Sequence, residues 1–594
     1  MRLKDTLPKF KFIHKLRSSF SYFADFNPEK KIDKYFYDRI KNLLKVSRFI
    51  ITWSGLLILI ASILIVQNYL LSGYYQKLEP IPGGIYNEGV LGTFTTANPI
   101  YATSDVDTSI SRLIFSGLFS YNSQDKLVGN LASGYTVNKL GNIFTVSLRP
   151  NLKWQDNANL TSQDVVFTYK LIQNPNTLSP LFNSWQGIQI SSLGPLKVVF
   201  KLPDPLASFP EQLTTGILPY HILKNIAPSN LRSASFNTLN PIGSGPFRWQ
   251  SIAVSGNSPS NAVEKISLIP FQDYRGGSPK LNAFVVNAYA DKSELINAFL
   301  SGALTSIEGL NTIPKAIKHM PNVKIHNLIL TAGVYEFFKT TAGVLADVNV
   351  RKALIEATNV SAIIKSLGYV THAVNEPLLE GQLAYNSSYR QASYNLSGAQ
   401  SILRQDGWTI GTNGVLQKNG TSLEFNMVVE NNSEYLKVAH ELQADWSKIG
   451  ARVQIISLSQ AELLNAIQSH DYDSILYGIS IGIDPDVFVY WDSTQASIQS
   501  STRLNLSEYS NPVADESLEE GRTRLNPALR VIKYQDFLRA WQQDAPALGL
   551  YQPRDLYITN GRLFGLNNTL INSYAGRFNN VQNWEINQAN VTDK

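Results

Sequence analysis

The chain has 594 residues, 44% of them hydrophobic and 16% charged, which is length enough for several domains with a modest charge content for a soluble protein. It has no cysteine, which excludes disulfides, thiolate zinc sites, a cysteine nucleophile and a lipid-modified N-terminal cysteine, so any part outside the cell must hold together by its core alone. The net charge is +6, yet residues 1–48 hold 13 Lys and Arg against 5 Asp and Glu; with +8 in this tail the rest of the chain carries −2, and a basic excess confined to a tail argues against nucleic acid as a partner.

In chain order, the tail of residues 1–48 alternates bases with aromatics, as in KFKFIHKLRSSFSYF, which suits a solvated arm lying along acidic lipid. From Phe49 to Leu71, FIITWSGLLILIASILIVQNYLL, no charged residue occurs over the span a helix needs to cross a bilayer core. Lys41, Lys45 and Arg48 precede this span and no such cluster follows it. The positive-inside rule therefore predicts a single-pass protein of the cell membrane, with a cytoplasmic N-terminus and everything after Leu71 extracellular. A cleaved signal peptide is the competing reading; its apolar stretch should be shorter, nearer the N-terminus and followed by a small-residue cleavage site, for which SGYYQKLEP is a poor match. Residues 72–82, with Pro80 and Pro82, read as a linker.

Residues 83–594 alternate strand-like and helix-like segments without low-complexity interruption, the pattern of mixed α/β globular material. In GNIFTVSLRP, Phe144, Val146 and Leu148 share one face of a half-buried strand. In LTSQDVVFTYKLI, Thr161 and Asp164 are spaced as a capping box, so a helix should begin there and end near Asn174-Pro175. SGAQSILRQDGW puts Ala399, Ile402 and Leu403 on one helical face and stops at Gly407. SEYLKVAHELQADWSKIGARVQI repeats this with Leu436, Ala439, Leu442, Trp446 and Ile449, a stop at Gly450 and a strand from Arg452. Helices covering a sheet follow from this order.

Within YDSILYGISIGIDPDVFVYW, Gly478 to Gly482 spell G-x-S-x-G, the elbow that presents a serine nucleophile in many hydrolases. Such a serine needs a histidine base and an oxyanion hole. His14, His221, His319, His326, His372, His440 and His470 all precede Ser480, and Asp484-Pro485 breaks the chain where the catalytic helix should start. Ser480 is therefore expected to belong to a small-residue crossing where backbone approaches a ligand, with no catalytic residue in the chain; a surface hydrolase using Ser480 is the rival. The chain shows no HExxH, EF-hand loop or phosphate loop, and Gly243-Ser244-Gly245 is a turn before Pro246, so neither metal nor cofactor is expected. His372 and His470 read as isolated surface or core residues, and Trp408 and Trp446 as core. Trp491 is the tryptophan best placed for a pocket, because it follows the elbow segment.

Several stretches occur in a telling order: GGIYNEGVLGTFTTANPIYATSDVDTSISRLIFSGLFSYN with its Asn98-Pro99 turn; LASGYTVNKLGNIFTVSLRPNLKWQDNANLTSQDVVFTY; NPIGSGPFRW; DYRGGSPKLNAFVV; LADVNVRKALIEATN; YNLSGAQSILRQDGW; DWSKIGARV; YDSILYGISIGIDPD; and WQQDAPALGLYQP. Together, over roughly residues 83 to 565, they resemble the large extracellular solute-binding proteins of the peptide/nickel type, the substrate-binding components of ABC importers. The resemblance implies a periplasmic-binding-protein-like two-lobe fold of type II with an extra third lobe, here preceded by one transmembrane helix. Lobe I would comprise about 83–115, 204–337 and 548–594, lobe II about 116–203 and lobe III about 338–547. A peptide or peptide-like solute would lie between lobes I and III, which close on it by hinge motion, and a permease and an ATPase would be the partners.

The same resemblance places Tyr477, Gly478, Ile479, Ser480, Ile481 and Asp484 at the cleft, with Trp491, Asn98 and Tyr335. Two departures stand out. Peptide-binding members carry a carboxylate for the ligand's ammonium group three residues before the Asp-Pro position, where this chain has Ile481, and the asparagine usual after the hinge strand is replaced near Lys339. Both imply a cleft that prefers a less polar or differently oriented solute. A ligand sensor signalling through the helix is the alternative within binding proteins, although a 48-residue tail leaves little room for a signalling module.

Overall fold

The computed structural model describes residues 46–592 apart from 412, 501, 562, 568 and 569, so the basic tail lies outside the described residues. The chain divides into two compact units, Met1–Glu79 with Gln588–Lys594, and Pro80–Asn587.

In the first unit the helix Ser47–Tyr75 runs 29 residues, about 44 Å at the α-helical rise. Its stretch Ser47–Leu70 has a mean hydropathy of 2.6 and no buried residue. Ile51, Ile58 and Ile65 are 67–70% exposed, so among the described residues the helix is apolar on every side and uncovered. The helix continues past Leu71, and Gln76–Ile81 is a strand paired with Asn587–Thr592 in a two-stranded ribbon. Residues 72–82, expected as a linker, are mostly a helix end and a strand, and the boundary between the two units falls among them, after Glu79. Pro80 is compatible with this strand because a two-stranded ribbon leaves one edge of each strand unpaired.

The second unit is built on three sheets. The largest has eight strands in the order Leu570–Ile571, Val323–Leu330, Arg554–Asn560, Ser306–Glu308, Ile85–Leu91, Ala283–Tyr289, Val263–Pro270 and Phe247–Ser255. A five-stranded sheet follows the order Arg452–Leu458, Glu424–Glu430, Ser474–Ser480, Ala332–Phe338 and Ala547–Tyr551. A four-stranded sheet comprises Ala132–Val137, Ile143–Leu148, Lys197–Lys201 and Gln189–Ser192. The mixed α/β class expected from the alternating pattern is observed.

Local sequence explains the elements. Phe144, Val146 and Leu148 are all buried on one face of their strand. Thr161 and Asp164 form the capping box, the Thr161 amide donating to Asp164 Oδ2 at 2.8 Å, and the helix Ser162–Ile172 gives way to a turn beginning at Pro175. The helices Leu396–Gln405 and Ser433–Ser447 stop just before Gly407 and Gly450, both with positive φ, which a side chain would resist.

Two strands cross between the large sheets. Val323–Leu330 leaves the eight-stranded sheet and becomes, after Thr331, the Ala332–Phe338 strand of the five-stranded one. Ala547–Tyr551 returns through Gln552-Pro553 to Arg554–Asn560. The crossings are tied together: the Leu330 amide donates to the Pro553 carbonyl at 2.9 Å, and Gln552 Nε2 donates to the Leu330 carbonyl at 3.0 Å.

Candidate functional site

The segment expected at the cleft lies beside these crossings. The strand Ser474–Ser480 pairs antiparallel with Ala332–Phe338, Tyr477 lying opposite Tyr335, and then turns at Gly482, whose φ is +77°. The amides of Ile481 and Gly482 both donate to the Thr331 carbonyl, at 3.0 and 2.9 Å, which pins the turn to the crossing. Facing it is the short helix Phe209–Gln212. The Asp484 amide donates to Glu211 Oε1 at 3.1 Å, and Ser208 Oγ donates to Asp486 Oδ2 at 2.9 Å, so polar groups touch across the gap. Burial, and next the negative charge of Asp484, push the Glu211 carboxyl up to about 7.

Strand alternation sorts the expected cleft residues. Gly478 and Ser480 point away from the apolar cluster; Ser480 is exposed, and a Cβ at Gly478 would come within 2.6 Å of the Tyr435 hydroxyl, so a side chain there would displace Tyr435. Tyr477 is half-buried. Ile479 and Ile481 alternate inward and are buried in an apolar cluster with Trp491, so Ile481 does not present the expected wall to solvent. Trp491 and Tyr335 are fully buried in that cluster: Trp491 packs on Tyr335, Phe337 and Trp541 with ring centroids 5.6–6.0 Å apart, and the Tyr335 hydroxyl donates to the Glu376 carbonyl. Asn98 is also fully buried, where it holds its own turn through the Ile100 amide and Asn237. Of these residues, Trp491 and Tyr335 are buried in the packing around the 477–484 segment. Asp484 lies at the wall, but its carboxylate is forked by Arg530 Nη1 and Nη2, both at 2.6 Å, and is neutralised there.

Sequence reasoning missed a second feature. A cavity of about 140 Å³ is lined by Asp105, Glu308 and Asp555 on elements of the eight-stranded sheet's side and by Glu434 and Tyr435 on the first turn of the helix Ser433–Ser447. Tyr435 joins this cavity to the Gly478 wall. Burial holds the Glu308 carboxyl well above the usual carboxylate range and pushes Asp555 up to about 7, although the Arg577 guanidinium pulls both down. No local pattern marks these residues, because they come from four distant stretches of chain.

A family model described as "Bacterial extracellular solute-binding proteins, family 5 Middle" matches residues 126–500. The chain belongs to this family. Family 5 proteins are binding components of ABC transporters and not enzymes, which removes the hydrolase alternative for Ser480. The oligopeptide-binding protein AppA of Bacillus subtilis is 24% identical over 490 residues, covering 80% of this chain and 88% of AppA. The structure of AppA in complex with a nonapeptide superposes with a TM-score of 0.67, at 23% identity over 86% of this chain and all of that one. NikZ from Campylobacter jejuni, in complex with Ni(L-His), gives 0.70 at 24% identity, over 84% of this chain and 99% of NikZ. The expected type II binding-protein fold is thereby established for this family 5 chain.

Proposed function

We propose that this family 5 protein captures peptides or a peptide-like solute outside the cell and passes it to a permease driven by an ATPase subunit, selection residing in closure of the lobes. The expected lobe boundaries are part of this reading, with the eight-stranded sheet in lobe I, the four-stranded sheet in lobe II and the five-stranded sheet, apart from its crossing strands Ala332–Phe338 and Ala547–Tyr551, in lobe III. The wall from Tyr477 to Asp484 would border the solute through Gly478, Ser480 and the 482–484 turn, with Tyr477 half-buried on the Ile479 face. The observation that carries the proposal is the pair of crossing strands at Thr331 and Gln552-Pro553, which join the eight- and five-stranded sheets, with polar contacts such as the Asp484 amide to Glu211 beside them. A hinge that closes on a solute has this construction. The nonapeptide complex of AppA supports a peptide ligand. The helix Ser47–Tyr75 would be a single-pass anchor, with the basic tail in the cytoplasm; its unburied apolar surface supports this.

The test is to purify the full chain in detergent from its native membrane, release the bound solute with acid and identify it by mass spectrometry. Peptides or amino-acid conjugates should be recovered, and adding them back should make the chain more compact in small-angle X-ray scattering. A chain that carries no solute and keeps its dimensions with every peptide offered would overturn the proposal.

A further inference from the structure

The cavity beside Tyr435 has a charge balance that a resting protein does not need. Glu308 and Asp555 are 1% and 2% exposed, and one oxygen of each, Glu308 Oε2 and Asp555 Oδ2, is fully buried with no hydrogen-bond partner among the described residues. A buried carboxylate oxygen without a partner is costly and is retained where something else supplies the partner. Asp105, in the first turn of the helix Asp105–Ile114, and Glu434 add two more carboxyl groups to the lining.

The nearby cations are already engaged. Arg577 forks onto Glu88, with Nη2 at 2.6 Å and Nε at 3.1 Å from Oε1, and also donates to Ser109. Arg554, the sole cation among the described lining residues, lies 3.7 Å over the Tyr369 ring and donates to Asn327; it makes no ion pair within 4 Å of a carboxylate among the described residues. Glu434 Oε1 accepts from the hydroxyls of Tyr369 and Tyr551 at 3.0 and 2.9 Å, which fixes its carboxylate in place.

We infer that this cavity receives a positively charged group of the solute, a primary ammonium or a guanidinium, held between Glu308 and Asp555 from one side and Glu434 from the other. The inference rests on the proposed receptor role and deepens it. It also accounts for Ile481: the counter-charge that peptide-binding members place at that position is supplied here from across the cleft, so the solute lies differently oriented. Because Glu434 and Tyr435 lie on one side of the cleft and Glu308 and Asp555 on the other, a cation in the cavity bridges both sides and favours closure, which links charge recognition to the conformational step. The tyrosine faces of Tyr435 and Tyr574 complete the walls and suit a cation as well as they suit apolar matter.

The test uses the full chain in detergent and three pools of C-terminally amidated pentapeptides built from uncharged residues: one with a free N-terminus, one N-acetylated, and one N-acetylated with a single Lys or Arg. Peptides retained through gel filtration are counted by mass spectrometry. At least one charged pool should be retained ten-fold or more above the neutral acetylated pool. Retention of the first alone assigns the cation to the peptide terminus, of the third alone to a side chain, and of both to charge irrespective of source. The double variant Glu308→Gln, Asp555→Asn should lose that preference while keeping its melting temperature, since both changes preserve shape. Glu434→Gln, at the half-exposed side of the cavity, should reduce the preference and serves as a second probe if the double variant unfolds. Equal retention of neutral and charged pools would overturn this inference and leave the receptor reading standing. Retention of none would overturn both.

Discussion

Ser480 and Ile481 are adjacent in sequence and face opposite ways, and that alternation decides what each can do. The elbow pattern and the resemblance both treat Tyr477 to Asp484 as one continuous wall, whereas a strand shows only every second side chain to either face. Ser480 reaches the open side; Ile481 is 6% exposed in the cluster that holds Trp491. Restoring the missing carboxylate by Ile481→Asp therefore does not rebuild an ammonium site. It places an unpaired carboxylate in an apolar core, at a cost of about 3–5 kcal/mol including the lost isoleucine packing. Thermal unfolding should show a large drop in melting temperature with no gain in affinity for free peptides. A variant that stays stable and binds them more tightly would mean that position 481 faces the ligand. The sequence marked the segment, and strand facing, which depends on what covers each side of the sheet, was the part it could not carry.

At the scale of elements, the helices that begin with a cap and end with glycine were readable because both signals are local: the Thr161–Asp164 box and the stops at Gly407 and Gly450 each work within one turn. The hinge strand was harder. In VYEFF the period-two pattern would turn Glu336 to water opposite Tyr335 and Phe337, but this strand lies between Ser474–Ser480 and Ala547–Tyr551 with both faces covered. Glu336 is fully buried, paired in register with Leu476 and Leu548, and burial pushes its carboxyl up to about 8, the Ser474 hydroxyl lowering it in part. The native carboxyl thus keeps its proton at pH values where the unfolded one, near its ordinary 4.5, has lost it. The stabilisation is complete below about 4.5 and is lost as pH rises through about 8. The melting temperature should accordingly fall between pH 5 and pH 8.5. Glu336→Gln should flatten part of that slope, with Glu376, also raised to about 8 by burial, and Glu211 and Asp555, raised to about 7, contributing as well. An unchanged slope in the variant would place the titration elsewhere.

For the whole molecule, motif order over some five hundred residues made the fold legible, since each stretch is weak and their succession is not. The acidic cavity stayed invisible for the converse reason: Asp105, Glu308, Glu434 and Asp555 meet only after the chain has crossed between sheets. Topology is testable at this scale. With +8 before an uncharged span, protease added to intact cells should digest the region beyond Leu71 and spare a fragment of tail plus helix, detected with an antibody to residues 1–48. A mature chain in the medium starting near Gly73 would mean instead that the span is a removable leader. The eight-stranded sheet carries a consequence for how such a protein is made. Its strand Ile85–Leu91 is among the first to leave the ribosome, yet its neighbours are Ser306–Glu308 and Ala283–Tyr289; Asn87 and its partner Thr305 are 218 residues apart, and Glu88 and Tyr557 are 469 apart. At typical synthesis speeds the strand waits roughly 10–40 s for the first of these partners with both edges unpaired. The four-stranded sheet, complete by Lys201, can fold in that interval, while the strand Ile85–Leu91 stays open to mispairing until Ser306–Glu308 has emerged, and the sheet's far side is completed only with Leu570–Ile571 near the end of synthesis.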